Sequence, residues 1–364
     1  MLPLNFIFDT GAEHTILFDR YFNDLLGLPY DQKVKILGSD LSREMIARIV
    51  RNVPIKLNNE LSVVRDIVVL EEDLMQLDEI IGVKLDGIIG GSFFNNLLVN
   101  IDFVKKKIVF YHPEKFNRQN LKGFTKVSFS KENHKPLIYC ETNVVNSMSA
   151  RLKLLLDTGA SLPVLIHNNL DSSLTLPNNL VVGNLGIGLG GKVEGYVSRI
   201  DKLSIGTIPI KNPICFFQEI RTDSLSKKKL HREGILGTGI LSRFEIFIDY
   251  LNQELYLKPN RSFRKPFKYD RSGLILYSFG PELNRFFIRS IIPNSPADLA
   301  GLKVGDEIKK IGLFKTKYFT LQKLTNKLSG RVGKNIRLII EREDQKMKIN
   351  FKLQELLKPI VRKP

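Results

Sequence analysis

The chain has 364 residues, enough for two or three domains, and its 43% hydrophobic and 26% charged content excludes a mostly disordered polypeptide. Two cysteines exclude a disulfide-framed scaffold and a four-cysteine zinc site, and no apolar run reaches transmembrane length. The net charge of +17 is spread along the chain, which argues against a nucleic-acid partner. The first nine residues, from Met1 to Asp9, carry neither a basic leader nor a small-residue cleavage site, so no signal peptide is read.

In chain order, residues 4–8 form an apolar run that predicts a buried strand. It ends in Asp9-Thr10-Gly11-Ala12, where Thr and Gly turn the chain. A short helix is predicted over 18–25 and strand over 48–57. Asp86-Gly87-Ile88-Ile89-Gly90 follows, then alternating apolar residues over 100–110. A strand pair at 135–143 and 151–156 leads into Asp157-Thr158-Gly159-Ala160, which stands 148 residues after its first copy. Glu233-Gly234-Ile235-Leu236-Gly237 and the alternating stretch after it repeat their partners at within one residue of that spacing. Three blocks at nearly one offset mark a duplicated lobe, each copy all-β with a short helix after each apolar-apolar-Gly triplet.

The character changes near residue 260. A basic, proline-containing stretch over 258–271 reads as a linker. Beyond it come Gly273-Leu274-Ile275-Leu276, a strand over 285–292, and Ser295-Pro-Ala-Asp-Leu-Ala-Gly301-Leu-Lys-Val-Gly305-Asp306. A helix with Leu321, Leu324 and Leu328 at helical spacing and two strands, over 336–342 and 346–353, complete the unit. The boundaries are lobe one 1–118, lobe two 119–262, linker 263–272, C-terminal unit 273–356 and tail 357–364.

A single Asp-Thr-Gly is a loop after a strand and little more. Two copies in a duplicated lobe would meet at the lobe interface if a pseudo-twofold axis relates the lobes. Two carboxyl groups in contact cannot both ionise, because like-charge repulsion raises one pKa. The charged one can take a proton from a water that attacks a carbonyl carbon, and the neutral one can donate to the carbonyl oxygen. A buried Thr hydroxyl can bond across the seam, and Gly lets the main chain approach a carboxylate.

Asp-Thr-Gly-Ala after an apolar strand, with a later apolar-apolar-Gly triplet, resembles the aspartic protease superfamily and, more narrowly, the bacterial retropepsin-like enzymes. The shared-proton behaviour is a property of that class. The resemblance implies a mainly β fold of two pseudo-twofold-related acid-protease β-barrel lobes. It makes Asp9 and Asp157 the catalytic pair, supported by Thr10, Gly11, Thr158 and Gly159. Ile88, Ile89 and Gly90, with Ile235, Leu236 and Gly237, become the triplets beneath the pair. Such enzymes also cover the substrate with a hairpin flap. The candidate tips are Gly38 and Ser39 in lobe one and Gly188, Gly190 and Gly191 in lobe two. A nucleotide-loop reading of the second would need a helix next, and a strand is predicted there instead.

Two departures stand out. Glu13 occupies the place of Ser161, and either adds a third negative charge near the pair or, as expected here, points to solvent. Only eight residues precede Asp9, so the strand equivalent to 135–143 has no counterpart, and an upstream segment with an export signal is expected. On that expectation the protein resides in the cell envelope or periplasm.

The segment Ser295 to Asp306 is similar to the signature of bacterial PDZ domains. That similarity implies a peptide C-terminus added as a strand beside a helix, with Gly273, Leu274, Ile275 and Leu276 as the carboxylate-binding loop, although Ile275 stands where many such loops have a second Gly. Cys140 and Cys215 are expected to be buried free thiols rather than a disulfide, and the five histidines show no ligand spacing, so no metal or other cofactor is expected. The function expected is an aspartic-type endopeptidase acting on polypeptide as a monomer, with a protein C-terminus as a second partner and no integral membrane segment. The alternative is a non-catalytic peptide-binding protein that keeps the protease fold.

Overall fold

Why the repeated blocks are apolar is plain from their pairing. In a computed structural model the triplet strand of each lobe lies between two others, so its main chain is hydrogen-bonded on both edges, and its apolar side chains are buried. The structure describes residues 3–37, 44–57, 62–71, 77–143, 149–169, 176–177, 180–188, 191–220 and 232–357.

In lobe one, Phe6–Phe8 runs parallel to Gly87–Ile89 with Ile7 opposite Ile88, and Ile16–Leu17 runs antiparallel on the other side. In lobe two, Ser149–Leu156 runs parallel to Gly234–Leu236 with Leu155 opposite Ile235, and Val164–His167 flanks it antiparallel. The lobe-two sheet continues past Ser149–Leu156 through Lys135–Asn143, Lys202–Ile205 and Ile208–Lys211, whereas Phe6–Phe8 is the edge of its sheet. The strand orders are open, and among the described residues no sheet closes on itself. The β-rich, two-lobed expectation therefore holds.

A third sheet joins the lobes. Leu98–Asp102 and Lys107–Tyr111 come from lobe one, and Phe244–Asp249, Glu254–Pro259 and Thr125–Ser128 complete it. Leu98–Asp102 pairs antiparallel with Phe244–Asp249, and Asn100 lies opposite Phe247, its own equivalent in the repeat. The pseudo-twofold axis passes between those two residues. Helices are short: Arg20–Leu25, and Gly91–Phe94 and Thr238–Leu241 directly after the two triplets. One core spans both lobes, with Phe94, Val99 and Ile101 from the first and Leu241, Phe244 and Ile246 from the second. Cys140 and Cys215 are buried free thiols within it.

The C-terminal unit has its own sheet, in the order Leu274–Phe279, Arg285–Ile291, Glu307–Ile311, Asn335–Arg342, Gln345–Lys352, and its own core around Phe286, Ile288, Leu324 and Ile340. Thr320 caps the helix Leu321–Leu328, which buries Leu321, Leu324 and Leu328 as their spacing predicts. Asp306 of the Gly-Asp pair is buried and takes a bidentate ion pair from Arg342 at 2.7 and 2.8 Å.

The basic stretch before this unit does not hang free. Phe263, Phe267 and Tyr269 pack against the two-lobe core, and the Arg243 guanidinium stacks 3.5 Å from the Phe267 ring centroid. Its charge pattern reads as solvated, but its aromatics decide its path. Lobe one also touches the C-terminal unit directly: the Ser278 hydroxyl donates to the Glu79 carbonyl at 2.7 Å. No helix among the described residues is long and apolar enough to cross a membrane.

Candidate active site

Both Asp-Thr-Gly turns arrive at the seam between the lobes. Each Asp is held at the end of its strand by a main-chain bond to the neighbouring triplet: Asp9 N–H to Ile89 O and Asp157 N–H to Leu236 O, both at 3.0 Å. Ile88, Ile89, Ile235 and Leu236 are buried, so the triplets pack beneath the turns. The Asp9 carboxylate accepts from Gly11 N–H at 2.7 Å and Ala12 N–H at 3.2 Å. Asp157 accepts from Gly159 N–H at 2.8 Å and Ala160 N–H at 2.9 Å. The Oδ1 of each carboxyl is thus fixed by main chain, and the two carboxyl groups lie within hydrogen-bond reach of one another.

The threonines lock this arrangement across the axis. The Thr10 hydroxyl donates to Leu156 O at 2.6 Å and accepts from Thr158 N–H at 3.1 Å; the Thr158 hydroxyl donates to Phe8 O at 2.7 Å and accepts from Thr10 N–H at 3.1 Å. Thr10 is fully buried. Replacing Thr10 by Val keeps the shape but orphans a carbonyl and an amide across the seam. We expect Thr10→Val to lose about 1–3 kcal/mol of stability, read by urea unfolding. A change within a few tenths would show that the seam does not depend on this lock.

Burial drives the Asp9 pKa well above the ordinary carboxylate range, the negative charge of Asp157 and their shared hydrogen bond push it further, and the Gly11 and Ala12 amides only partly offset the rise. The pair therefore holds one proton between its members over a range where isolated carboxylates are ionised.

The pair opens into a cleft of about 1510 Å³ between the lobes. Lobe one lines it with apolar side chains such as Ile16, Val34, Ile36 and Val68, two of them on the hairpin of Tyr30–Leu37 and Glu44–Lys56. Of the flap residues, Gly38, Ser39 and Gly190 lie outside the described residues. Gly188 and Gly191 face each other at the described end of the hairpin formed by Val181–Gly188 and Gly191–Arg199.

Glu13 does not simply face solvent. It lines the cleft, one-third exposed, with His14 Nε2 at 3.3 Å and Lys135 Nζ at 3.8 Å, and the hydrogen bond from His14 is the largest influence holding its pKa down. Lys135 offsets the extra negative charge beside the pair. The same cleft is also lined by Leu274, Ile275 and Leu276 and by Leu321, Gln322 and Thr325 of the C-terminal helix. Of the four residues expected to form a carboxylate loop, Leu274, Ile275 and Leu276 lie in the strand Leu274–Phe279; Gly273 N–H donates to Asp270 at 2.5 Å and Leu274 N–H to the Ser272 hydroxyl at 3.1 Å.

Sequence reasoning missed Lys135 and Arg232, two cations that line the cleft. Neither belongs to a motif. Aligning the lobes residue by residue would have exposed Arg232, because its equivalent before Asp86 is Leu85.

A family model described as aspartyl protease matches residues 2–93 and 144–240, more than half of the chain and both Asp-Thr-Gly turns. No curated protein matches the chain. Among solved structures, a photosystem II D1 C-terminal processing protease matches at 17% identity with a TM-score of 0.23, over 25% of this chain and 24% of that one. The chain thus spans about a quarter of that protein's length, and at that score the likeness carries no inference.

Proposed function

The chain belongs to the aspartyl protease family, and from that premise we propose that it is an endopeptidase working through Asp9 and Asp157. The observation that carries this reading is the approach of the two carboxyl groups in an open cleft, each pinned by main-chain amides. A water lodged between the carboxyls gives its proton to the ionised member and attacks the peptide carbonyl carbon. The protonated member donates to the carbonyl oxygen, forming a tetrahedral intermediate without an acyl-enzyme. The intermediate collapses as the amide nitrogen takes a proton and leaves.

The C-terminal unit is read as a PDZ domain that binds a peptide C-terminus between Leu274–Phe279 and Leu321–Leu328. Its support is that Leu274–Phe279 ends its sheet, the helix lies beside it, and the groove they form opens into the cleft that holds the carboxyl pair. The test is cleavage of unfolded casein with and without pepstatin. Pepstatin-sensitive cleavage is the expected result. A folded protein that binds casein but leaves it intact would favour the non-catalytic reading.

A further inference from the structure

The two lobes are built on one plan but differ in chemistry at equivalent positions. The register makes the equivalence exact to the residue: Ile16 faces Ile88 as Leu165 faces Ile235. Phe18 N–H donates to Asp86 O at 2.9 Å, and His167 N–H donates to Glu233 O at 2.8 Å. Asp86 accepts from Asn5 N–H at 2.6 Å, and Glu233 from Lys153 N–H at 2.6 Å. The residues preceding Asp86 and Glu233 are therefore counterparts, and they are Leu85 and Arg232. By the same register Leu70 corresponds to Gln218, the strand partner of His167.

Where lobe one has Phe18, Leu70 and Leu85, lobe two thus has His167, Gln218 and Arg232. Gln218 and Arg232 line the cleft that holds the carboxyl pair, whereas their lobe-one counterparts do not, and the apolar lobe-one wall is made by Ile16, Val34, Ile36 and Val68. The Arg232 Nε is buried without a hydrogen-bond partner, and among the described residues no carboxylate forms an ion pair with the guanidinium. Burial acts against its charge, and the fields of Asp157 and Asp9 support it, so it faces the same space as they do. Neighbouring His167 is buried with both ring nitrogens unpartnered, and desolvation drives its pKa down to about 3, so it stays neutral and supplies no competing charge. A desolvated guanidinium that no carboxylate of the described residues meets in an ion pair is a costly thing to keep in a cleft, and a carboxylate brought by a ligand offsets that cost.

The geometry points to a divided specificity: the lobe-two half of the cleft takes a carboxylate of the substrate polypeptide on Arg232, while the lobe-one half takes an apolar side chain. This rests on the endopeptidase reading and adds the substrate class to it. The carboxylate has two possible sources, an acidic side chain near the scissile bond or the substrate's own C-terminus.

The experiment uses the full chain and peptides with a Leu or Phe on one side of the cleavable bond. One arm compares internal Glu with Gln in amidated peptides. The other compares free with amidated C-termini in peptides lacking acidic residues. The expected result is that kcat/KM favours the carboxylate in one arm by about 10- to 100-fold and that Arg232→Leu, which installs the lobe-one residue, reduces the ratio to about one. Arg232→Lys is expected to keep part of it. Binding of the same peptides to Asp157→Asn protein, followed calorimetrically, reads the preference without hydrolysis. Pepstatin-sensitive cleavage that ignores the carboxylate in both arms overturns the inference and leaves the protease reading standing. Carboxylate-selective binding without cleavage by the wild type does the reverse. No preference in either assay overturns both.

Discussion

Asp157→Asn and Asp9→Asn are each expected to lower kcat by roughly four orders of magnitude or more while peptide binding survives. Each carboxyl has a distinct task, one charged and one protonated, and an amide can perform neither. Asn retains an oxygen that can accept the main-chain amides now held by each Asp, so the turns keep their shape. The measurement is kcat and KM on a cleaved peptide, with pepstatin affinity as a check on cleft integrity. Residual activity within tenfold of wild type would sink the assignment.

The same substitutions carry a pH signature. Because Asp9 titrates above its ordinary value in the folded protein, its contribution to stability is complete below the unfolded pKa and is lost as pH rises through the folded one. Asp9→Asn removes that loss. Its melting temperature is expected to exceed that of the wild type at neutral pH, with the gap closing towards pH 4. Activity follows the same proton, and its alkaline limb falls where the pair gives it up. A gap that widens on acidification would show that the carboxyl is stabilised in its charged form instead.

Gly159→Ala and Gly11→Ala are expected to cost about 100-fold in kcat each, for a steric reason. A Cβ on Gly159 would lie 2.5 Å from the Asp9 carboxyl carbon and from Oδ2, and a Cβ on Gly11 would meet Asp157 at the same distances. Neither glycine takes a positive φ, so alanine costs nothing in backbone conformation, and the whole effect falls on the opposite carboxyl. The main chain cannot yield, since Thr10 and Thr158 pin both turns across the seam. The carboxyls must separate, which breaks their shared hydrogen bond. Equal losses in the two variants would follow from the twofold geometry. Wild-type kcat in either would show that the carboxyls do not need their present contact.

Much of this architecture was legible because local chemistry repeats. The apolar strand before each Asp, the Thr-Gly turn and the triplet are short-range features, and their common offset revealed the duplication. The helix bearing Leu321, Leu324 and Leu328 was equally readable, since spacing on one face needs no knowledge of a partner. What escaped was long-range. Nothing in residues 258–271 shows that Phe263 and Phe267 will pack on the two-lobe core, because aromatic burial depends on a surface supplied from elsewhere. Glu13 was expected in solvent because its partners, His14 apart, come from the start of the Lys135–Asn143 strand.

The sequence by itself determined that there are two lobes, that each offers one carboxyl on a turn, and that a third unit with its own core follows. Those are consequences of strand patterning and turn residues, which act over a few positions. Only the tertiary structure decided that the two carboxyls come together, that residues of the third unit line their cleft, and that Arg232, unpaired with any carboxylate among the described residues, faces them. Each of those depends on how separately formed sheets settle against one another, and distance between remote side chains is set by that settling and not by any local preference.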